Sequence, residues 1–370
     1  METMASSKST VTFASAKVKR LHADDTLPAK FKRMLDGYPL AQMFDGKRVA
    51  VKMHVGDKLG YTTIRPLFVR ILIERLKAAG ASYPFVTDGS AAIPGAVARG
   101  YTEEVLGAKV LPAAGVANKY YYSRKVGFRS LETVELCGNI VDADAMVVLS
   151  HGKGHGQSGF GGAIKNIAMG CVAGDSRGKI HRLSSTAFQW DSAACTHCYL
   201  CRDNCPTAAV SFNEAGHMYI FDHDCKYCMH CVNACPAGAI TIDESGYRYF
   251  QQGMALTVRE VLSTFEPGRV LYINVLMDVT PLCDCWGYST PAIVPDVGIL
   301  ASDDIVAVDQ ASMDLIRNED FLPGSLPEQM KLSPEGHLLQ RIWGKDPYMQ
   351  VEEAAALGLG SRAYKLVEID

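Results

Sequence analysis

The chain has 370 residues, 48% of them hydrophobic and 21% charged, with a net charge of −3. That length suits roughly two or three domains, or one large domain carrying an insertion, and the composition is that of a globular protein with a real core. The near-neutral charge gives no global signal for nucleic acid or an anionic membrane surface. No apolar run reaches the roughly 18 residues of a transmembrane helix. Met1 to Ser15 lacks an apolar h-region and a twin-arginine pair, so no export signal is expected and the location is expected to be cytoplasmic.

In chain order, residues 1–44 read as an N-terminal extension whose first ten residues fray. Residues 45–188 read as the first part of an α/β domain. Arg48–Met53 is expected as a strand, and Arg65–Ala79 as an apolar helix with Pro66 in its first turn and Gly80 as its stop. Pro84–Thr87, Lys109–Leu111 and Ala145–Ser150 are further expected strands. This βαβ rhythm points to a Rossmann-like, mainly parallel sheet. Residues 189–252 interrupt it with an internal repeat of 30-residue offset: Pro206, Ala209, Glu214, Gly216 and Tyr219 recur as Pro236, Ala239, Glu244, Gly246 and Tyr249. The α/β character returns over 253–320, with a helix at Val258–Phe265, a strand at Val270–Val275 and a short strand at Ile305–Val308. Residues 321–370 read as a Pro- and Gly-rich surface wrap that ends in a helix at Val351–Leu357.

Twelve cysteines are many for a chain with no export signal. A disulfide framework suits a reducing compartment poorly, so clustering points to metal. Eight fall into two runs, Cys195-x2-Cys198-x2-Cys201-x3-Cys205-Pro206 and Cys225-x2-Cys228-x2-Cys231-x3-Cys235-Pro236. A C-x2-C-x2-C run wraps one four-iron cube, and the fourth cysteine reaches across to the other. One cluster is therefore expected on Cys195, Cys198, Cys201 and Cys235, the other on Cys225, Cys228, Cys231 and Cys205. Zinc knuckles would leave the third cysteine of each run and both prolines without a purpose. The segment resembles the bacterial diferredoxins, so the fold expected overall is an α/β domain interrupted by a ferredoxin-like α+β insertion. His197 and His230, inside the runs, read as surface neighbours. Residues 195–250 hold three basic residues, Arg202, Lys226 and Arg248, against six acidic ones, a balance that favours a basic redox partner.

The strand ending at Ser150 runs into a glycine-rich stretch, His151 to Asn166, with six glycines between Gly152 and Gly162. Such backbone approaches ligands closely and presents amides to anions. Gly154-x-Gly156-x-x-Gly159 matches a dinucleotide fingerprint, but no strand ending in an acidic residue follows about 20 positions on, and the spacing fails for a phosphate-binding Walker loop. His151, His155 and Lys165 are the acid, base or ligand candidates, with Lys165 placed to hold a small anionic substrate; the alternative is a flexible turn with solvated His and Lys. Cys171, Cys283 and Cys285 are expected to meet at one strand-end cleft, where the C-x-C pair either binds an additional soft metal or acts as a redox-active thiol pair. Cys137 reads as a buried small residue. Asp296, Asp303, Asp304 and Asp309 read equally as cleft residues or as turn and cap residues.

The stretch Gly159-Phe-Gly-Gly-Ala-Ile-Lys165-Asn166, then Met169-Gly-Cys171, the cysteine runs, Cys283-Asp-Cys285 and Pro295-Asp296 to Ser302-Asp303 together resemble the uncharacterised Fe–S centre proteins, a family of unknown function, over about residues 48–318. A fainter resemblance is to the nickel-pincer lactate racemases. It rests on Thr63-Ile64-Arg65-Pro66, which carries one extra residue, on His151 or His155, and on Lys165, with Gly161 where that family has serine. It implies a shared Rossmann-like domain with a cleft at the glycine stretch. The function expected is electron transfer through two [4Fe-4S] clusters, between an external ferredoxin, flavodoxin or reductase and a substrate or second cofactor in the α/β domain. The alternatives are an electron-carrier subunit of a larger complex and a metal or cluster delivery protein.

Overall fold

The computed structural model describes residues 8–369 apart from 58, 185–187, 206, 222–223, 226–229, 243 and 327–331. Its centre is an eight-stranded sheet in the order Tyr364–Glu368, Ser9–Ser15, Gly298–Ser302, Val270–Leu276, Ala145–His151, Arg48–Lys52, Tyr83–Asp88, Val110–Pro112. The last five run parallel to one another. Gly298–Ser302 is antiparallel to both its neighbours. The α/β expectation therefore holds as a mixed, mostly parallel sheet.

Alternation along the strands divides the apolar residues between two layers. Val49, Val51, Val147, Leu149, Ile273 and Val275 face helices Leu27–Asp36 and Pro66–Ala78. Ala50, Met146, Val148 and Tyr272 face helices Ala163–Gly170, Glu244–Leu262 and Ile305–Leu315. Every residue of Ala145–His151 is buried, as a strand covered on both faces requires. The chain winds outward from Arg48–Lys52 to Val110–Pro112, then resumes on the opposite side at Ala145–His151. The carboxyl ends of Arg48–Lys52 and Ala145–His151 thus flank the point where strand order reverses, the place where open α/β sheets hold ligands.

Three segments differ from expectation. Residues 8–44 are part of the body: Ser9–Ser15 is a sheet strand and Phe31, Met34 and Leu35 are fully buried. Ile305–Val308 opens a helix, Ile305–Leu315, because Asp304 caps it with bonds from the amides of Val306 and Ala307; the strand lies just before it at Gly298–Ser302. The C-terminal wrap carries helices Leu338–Trp343 and Met349–Ala356 and a final strand, Tyr364–Glu368.

The repeat in the cysteine segment has a structural counterpart. Phe188–Trp190, Leu200–Asp203 and Val210–Phe212 form a strand, helix and strand. Met218–Ile220, His230–Asn233 and Ile240–Ile242 repeat the set at the same offset of 30. Pairing is crossed: Phe188–Trp190 joins Ile240–Ile242, and Val210–Phe212 joins Met218–Ile220. The first of these pairings also brings the first and last strands of the repeat side by side.

Candidate functional site

A cleft of about 680 Å³ opens at the carboxyl ends of the parallel strands. Its wall includes Lys52, His54, Asp88, Lys153, His155, Lys165, Arg177, Cys283 and Cys285, and also Thr207 and Asp224 from the cysteine segment.

The glycine stretch forms one wall, and the structure changes its reading. Residues 151–162 are all buried, and they form a tight hairpin of Lys153–His155 and Gly159–Gly161. The glycines serve close packing here. A Cβ on Gly154 would stand 2.6 Å from the carbonyl oxygen of Pro281, and one on Gly152 would stand 2.2 Å from Leu276. The solvated-turn alternative is thereby removed.

Two buried carboxylates organise the floor. Asp88, at the end of Tyr83–Asp88, takes Lys52 Nζ at 3.0 Å and the amide of Val55 at 3.1 Å. The oxygen that accepts from Val55 also receives His54 Nδ1, at 2.7 Å. Asp284 takes Lys153 Nζ at 2.8 Å and His151 Nδ1 at 3.0 Å. Burial opposes ionisation of both acids, but the neighbouring Lys and His outweigh it and hold both well below the usual carboxylate range. Asn166 couples the first set to the helix that begins at Ala163: its Oδ1 accepts from Lys52 at 2.8 Å, and its Nδ2 donates to Lys52 O, Leu149 O and Ser150 Oγ.

The predicted residues fall into different roles. His151 spends both ring nitrogens, one on Asp284 and the other on the carbonyl of Met277 at 2.7 Å, so it anchors the 277–284 loop to the sheet. His155 Nδ1 accepts from the amides of Gln157 and Ser158 at 3.1 and 3.0 Å, which puts the proton of a neutral ring on Nε2. Lys165 donates to Cys283 Sγ at 3.3 Å. Burial first, and then Lys153, push its amine down to about 7. Cys283 and Cys285 are joined as a disulfide. A ring nitrogen of His155 and both sulfurs lie within 4.8 Å of one another.

Cys171 is not among the cleft residues. It is fully buried in the core, its carbonyl accepts from the amide of Cys137, and burial pushes its thiol far up. Cys137 is buried beside it, its thiol pushed up to about 12. Three of the four acidic candidates serve as caps and turns. Asp304 caps its own helix, Asp296 accepts from the amide of Asp278, and Asp309 accepts from the amides of Ala163 and Ile164 at 2.8 and 2.9 Å. Sequence reasoning missed Lys52, His54, Asp88 and Asp284 as site residues. The signal for three of them is position: Lys52 and His54 stand at or just beyond the end of a strand that flanks the switch point, and Asp88 ends the strand beside it. His54 is the most informative, because Asp88 fixes the proton on Nδ1 while Nε2 has no hydrogen-bond partner among the described residues.

In the cysteine segment, Cys195, Cys198, Cys201, Cys205, Cys225, Cys231 and Cys235 are all outside disulfides, and Cys228 lies outside the described residues. Cys201 is raised by burial and further by Cys195 and Cys235 beside it. Cys205 packs with Cys225 and Ala209. Left-handed backbone at the non-glycine residues His197, Tyr199 and Ala208 bends the chain around these thiols. His197 bonds the carbonyl of Gly216 at 3.1 Å, a surface role as expected. No helix among the described residues is long and apolar enough to cross a membrane.

No curated protein matches the chain. Among solved structures, the lactate racemase apoprotein from Thermoanaerobacterium thermosaccharolyticum matches with 13% identity and a TM-score of 0.36, over 73% of this chain and 51% of that one. The chain thus spans about half the length of that structure, and a likeness at this level carries no argument about the site. A family model described as "Domain of unknown function (DUF362)" matches residues 49–314, and the chain belongs to that family.

Proposed function

We propose that the chain is an iron–sulfur oxidoreductase: it exchanges single electrons with an external ferredoxin, flavodoxin or reductase and acts on a small anionic substrate in the strand-end cleft. The observation that carries this reading is the crossed repeat. It sets Cys195 and Cys235 beside Cys201, and Cys205 beside Cys225. Two four-iron clusters would require such an exchange of fourth ligands, and this proximity supports that reading. The described thiols fit such groups: they converge, they lie outside disulfides, and the amide of Ala209 donates to Cys205 Sγ at 3.2 Å. Cys195, Cys198, Cys201 and Cys235 would hold one cluster and Cys225, Cys228, Cys231 and Cys205 the other, supplying one-electron transfer when bound.

The segment is also oriented. Thr207 and Asp224, next to Cys205 and Cys225, line the cleft. Cys198, in the other proposed ligand set, is exposed, near the exposed Leu200. Electrons would therefore enter by the Cys198 side and leave beside the cleft.

Within the cleft, the unpartnered Nε2 of His54 takes or gives a proton, its tautomer fixed by Asp88. Lys165 has no carboxylate of its own among its described bonds and is placed to hold an anionic group. A second reading, a metal held by His155, Cys283 and Cys285, has the proximity of the three ligand atoms in its favour. It asks His155 to surrender the proton that its Nδ1 contacts place on Nε2, and it asks for a reduced cysteine pair.

Anaerobic counting of iron and acid-labile sulfide per chain tests the proposal. About eight irons, lost in part on Cys205→Ser, are expected. Fewer than about one iron in anaerobically prepared protein overturns it. With clusters intact, His54→Ala is expected to lose turnover of substrate by 100-fold or more, as an order-of-magnitude figure for a removed acid–base group.

A further inference from the structure

The Cys283–Cys285 disulfide has no structural work to explain it. It spans a sequence separation of 2, so it closes almost no loop and constrains little chain entropy. It stands in the cleft wall, and its two sulfurs differ sharply. Cys283 is 2% exposed, whereas Cys285 is exposed. Lys165 Nζ donates to Cys283 Sγ at 3.3 Å and the amide of Cys285 donates to it at 3.2 Å. A ring nitrogen of His155 lies within 4.8 Å of both sulfurs. A thiolate released at Cys283 is therefore met by a cation, a backbone N–H and an imidazole. Cys285 is the sulfur that an incoming thiolate reaches.

That asymmetry is what thiol–disulfide exchange needs. A leaving thiolate that is stabilised leaves faster, and a stabilised reduced form makes the pair more readily reduced. We infer that Cys283–Cys285 is a redox-active disulfide, which takes up two electrons and passes them to a small anionic disulfide bound in the cleft. The inference rests on the function proposed above only for the source of those electrons.

The step balances. Two electrons from the external one-electron donor and two protons break the Cys283–Cys285 bond and leave two thiols. Cys285, as thiolate, attacks one sulfur of the bound disulfide RSSR, forms a mixed disulfide and expels RS⁻, which takes the Cys285 proton. Cys283, as thiolate, then attacks Cys285 Sγ, reforms the internal bond and expels the second RS⁻, which takes the Cys283 proton. Lys165 holds the Cys283 sulfur in both directions. The substrate class follows from the cleft. Its volume of about 680 Å³ is that of a small-molecule site, and Lys165, Arg177 and His181 line it. Lys52, Lys153, Lys165 and Arg177 line it against three carboxylates, Asp57, Asp88 and Asp224, and Asp88 is already matched by Lys52.

The test uses the full chain, equilibrated anaerobically in glutathione redox buffers, quenched in acid, alkylated and read by mass spectrometry. Glutathione disulfide is itself a small anionic disulfide. The pair is expected to titrate as one two-electron couple inside the buffer range. Cys283→Ser is expected to trap glutathione on Cys285, and Lys165→Met to shift the equilibrium toward the disulfide by about 10-fold. No transition at any ratio overturns the inference, as does glutathione added as readily to Cys283 in Cys285→Ser, or zinc, nickel or iron retained one per chain by the reduced pair. Iron is counted on the same samples. About eight irons with no transition removes this inference and leaves the iron–sulfur reading. A clean transition in a chain without iron does the reverse.

Discussion

Replacing Asp284 by asparagine removes the negative charge that Lys153 and His151 share. The shape survives, but the balance does not. Asp284 is 2% exposed, and the side chains of Lys153 and His151 are 5% and 1% exposed, so no water compensates. Lys153 keeps a single described bond of 3.0 Å, to the carbonyl of His151. Breaking a buried pair by removing one partner typically costs about 3–5 kcal/mol, because the other charge is left stranded. Asp284→Asn is therefore expected to lower unfolding stability by roughly that amount, read from urea transitions followed by circular dichroism. Lys153→Met in the same chain should return much of the loss, since it removes the stranded charge. The pH dependence has the same origin. The folded acid lies below its unfolded value of about 3.9, so its contribution is complete at neutral pH and disappears as pH falls below about 4; the variant lacks that acid-side slope. A loss under about 1 kcal/mol, or a double variant no more stable than Asp284→Asn alone, would refute the argument.

Three further outcomes follow from the same geometry. Burial holds the Lys165 amine near 7, below its unfolded value of about 10.4, so its charged form is penalised in the folded chain. The penalty is absent above about pH 10.4, grows as pH falls and is complete below about 7, so Lys165→Met should gain on the order of 4 kcal/mol at pH 6 and under about 1 kcal/mol at pH 10; equal effects at both would contradict this. Asp309→Ala removes the cap on helix Ala163–Gly170 and the bond from Asn274 Nδ2 at 2.7 Å, and should cost about 2–4 kcal/mol in the same transitions; a cost below about 0.5 kcal/mol counts against the capping role. Gly154→Ala drives a methyl against the Pro281 backbone and should cost about 1–3 kcal/mol or shift the hairpin, visible as faster amide exchange over residues 152–161; unchanged exchange and stability would show that the loop yields freely.

How much was legible in the sequence depended on the range of the interaction. Strands Arg48–Lys52 and Ala145–His151 and helix Pro66–Ala78 announce themselves because apolar runs, a leading proline and a closing glycine act within a few residues. The repeat was legible for the same reason, and its offset of 30 reappears element by element. What misled was burial without pattern. Ile305–Val308 is apolar on every side because helix Ile305–Leu315 is covered all round, and a short run of that kind carries no period to separate helix from strand. Ser9–Ser15 looked like a tail because its partners, Gly298–Ser302 and Tyr364–Glu368, lie some 300 residues away. The same distance hid the site. Lys52, His54, Asp88 and Asp284 are unremarkable alone, and only the sheet order brings them to one cleft.

The two halves of the chain bear on one another at a narrow place. Thr207 follows Cys205 by two residues and Asp224 precedes Cys225, and both stand in the wall that also holds Lys165, Cys283 and Cys285. Cys205 and Cys225 pack together, so the part of the repeat that carries both is the part whose neighbours line the cleft. A carrier that only relays electrons between partners gains nothing from a buried, charge-matched cleft beside its thiols, with a reducible sulfur pair in the wall. The cost of keeping Lys52, Lys153 and Lys165 out of water is best explained by a ligand that uses that field, which supports the proposed reading in which the cleft would carry the chemistry and the repeat the relay.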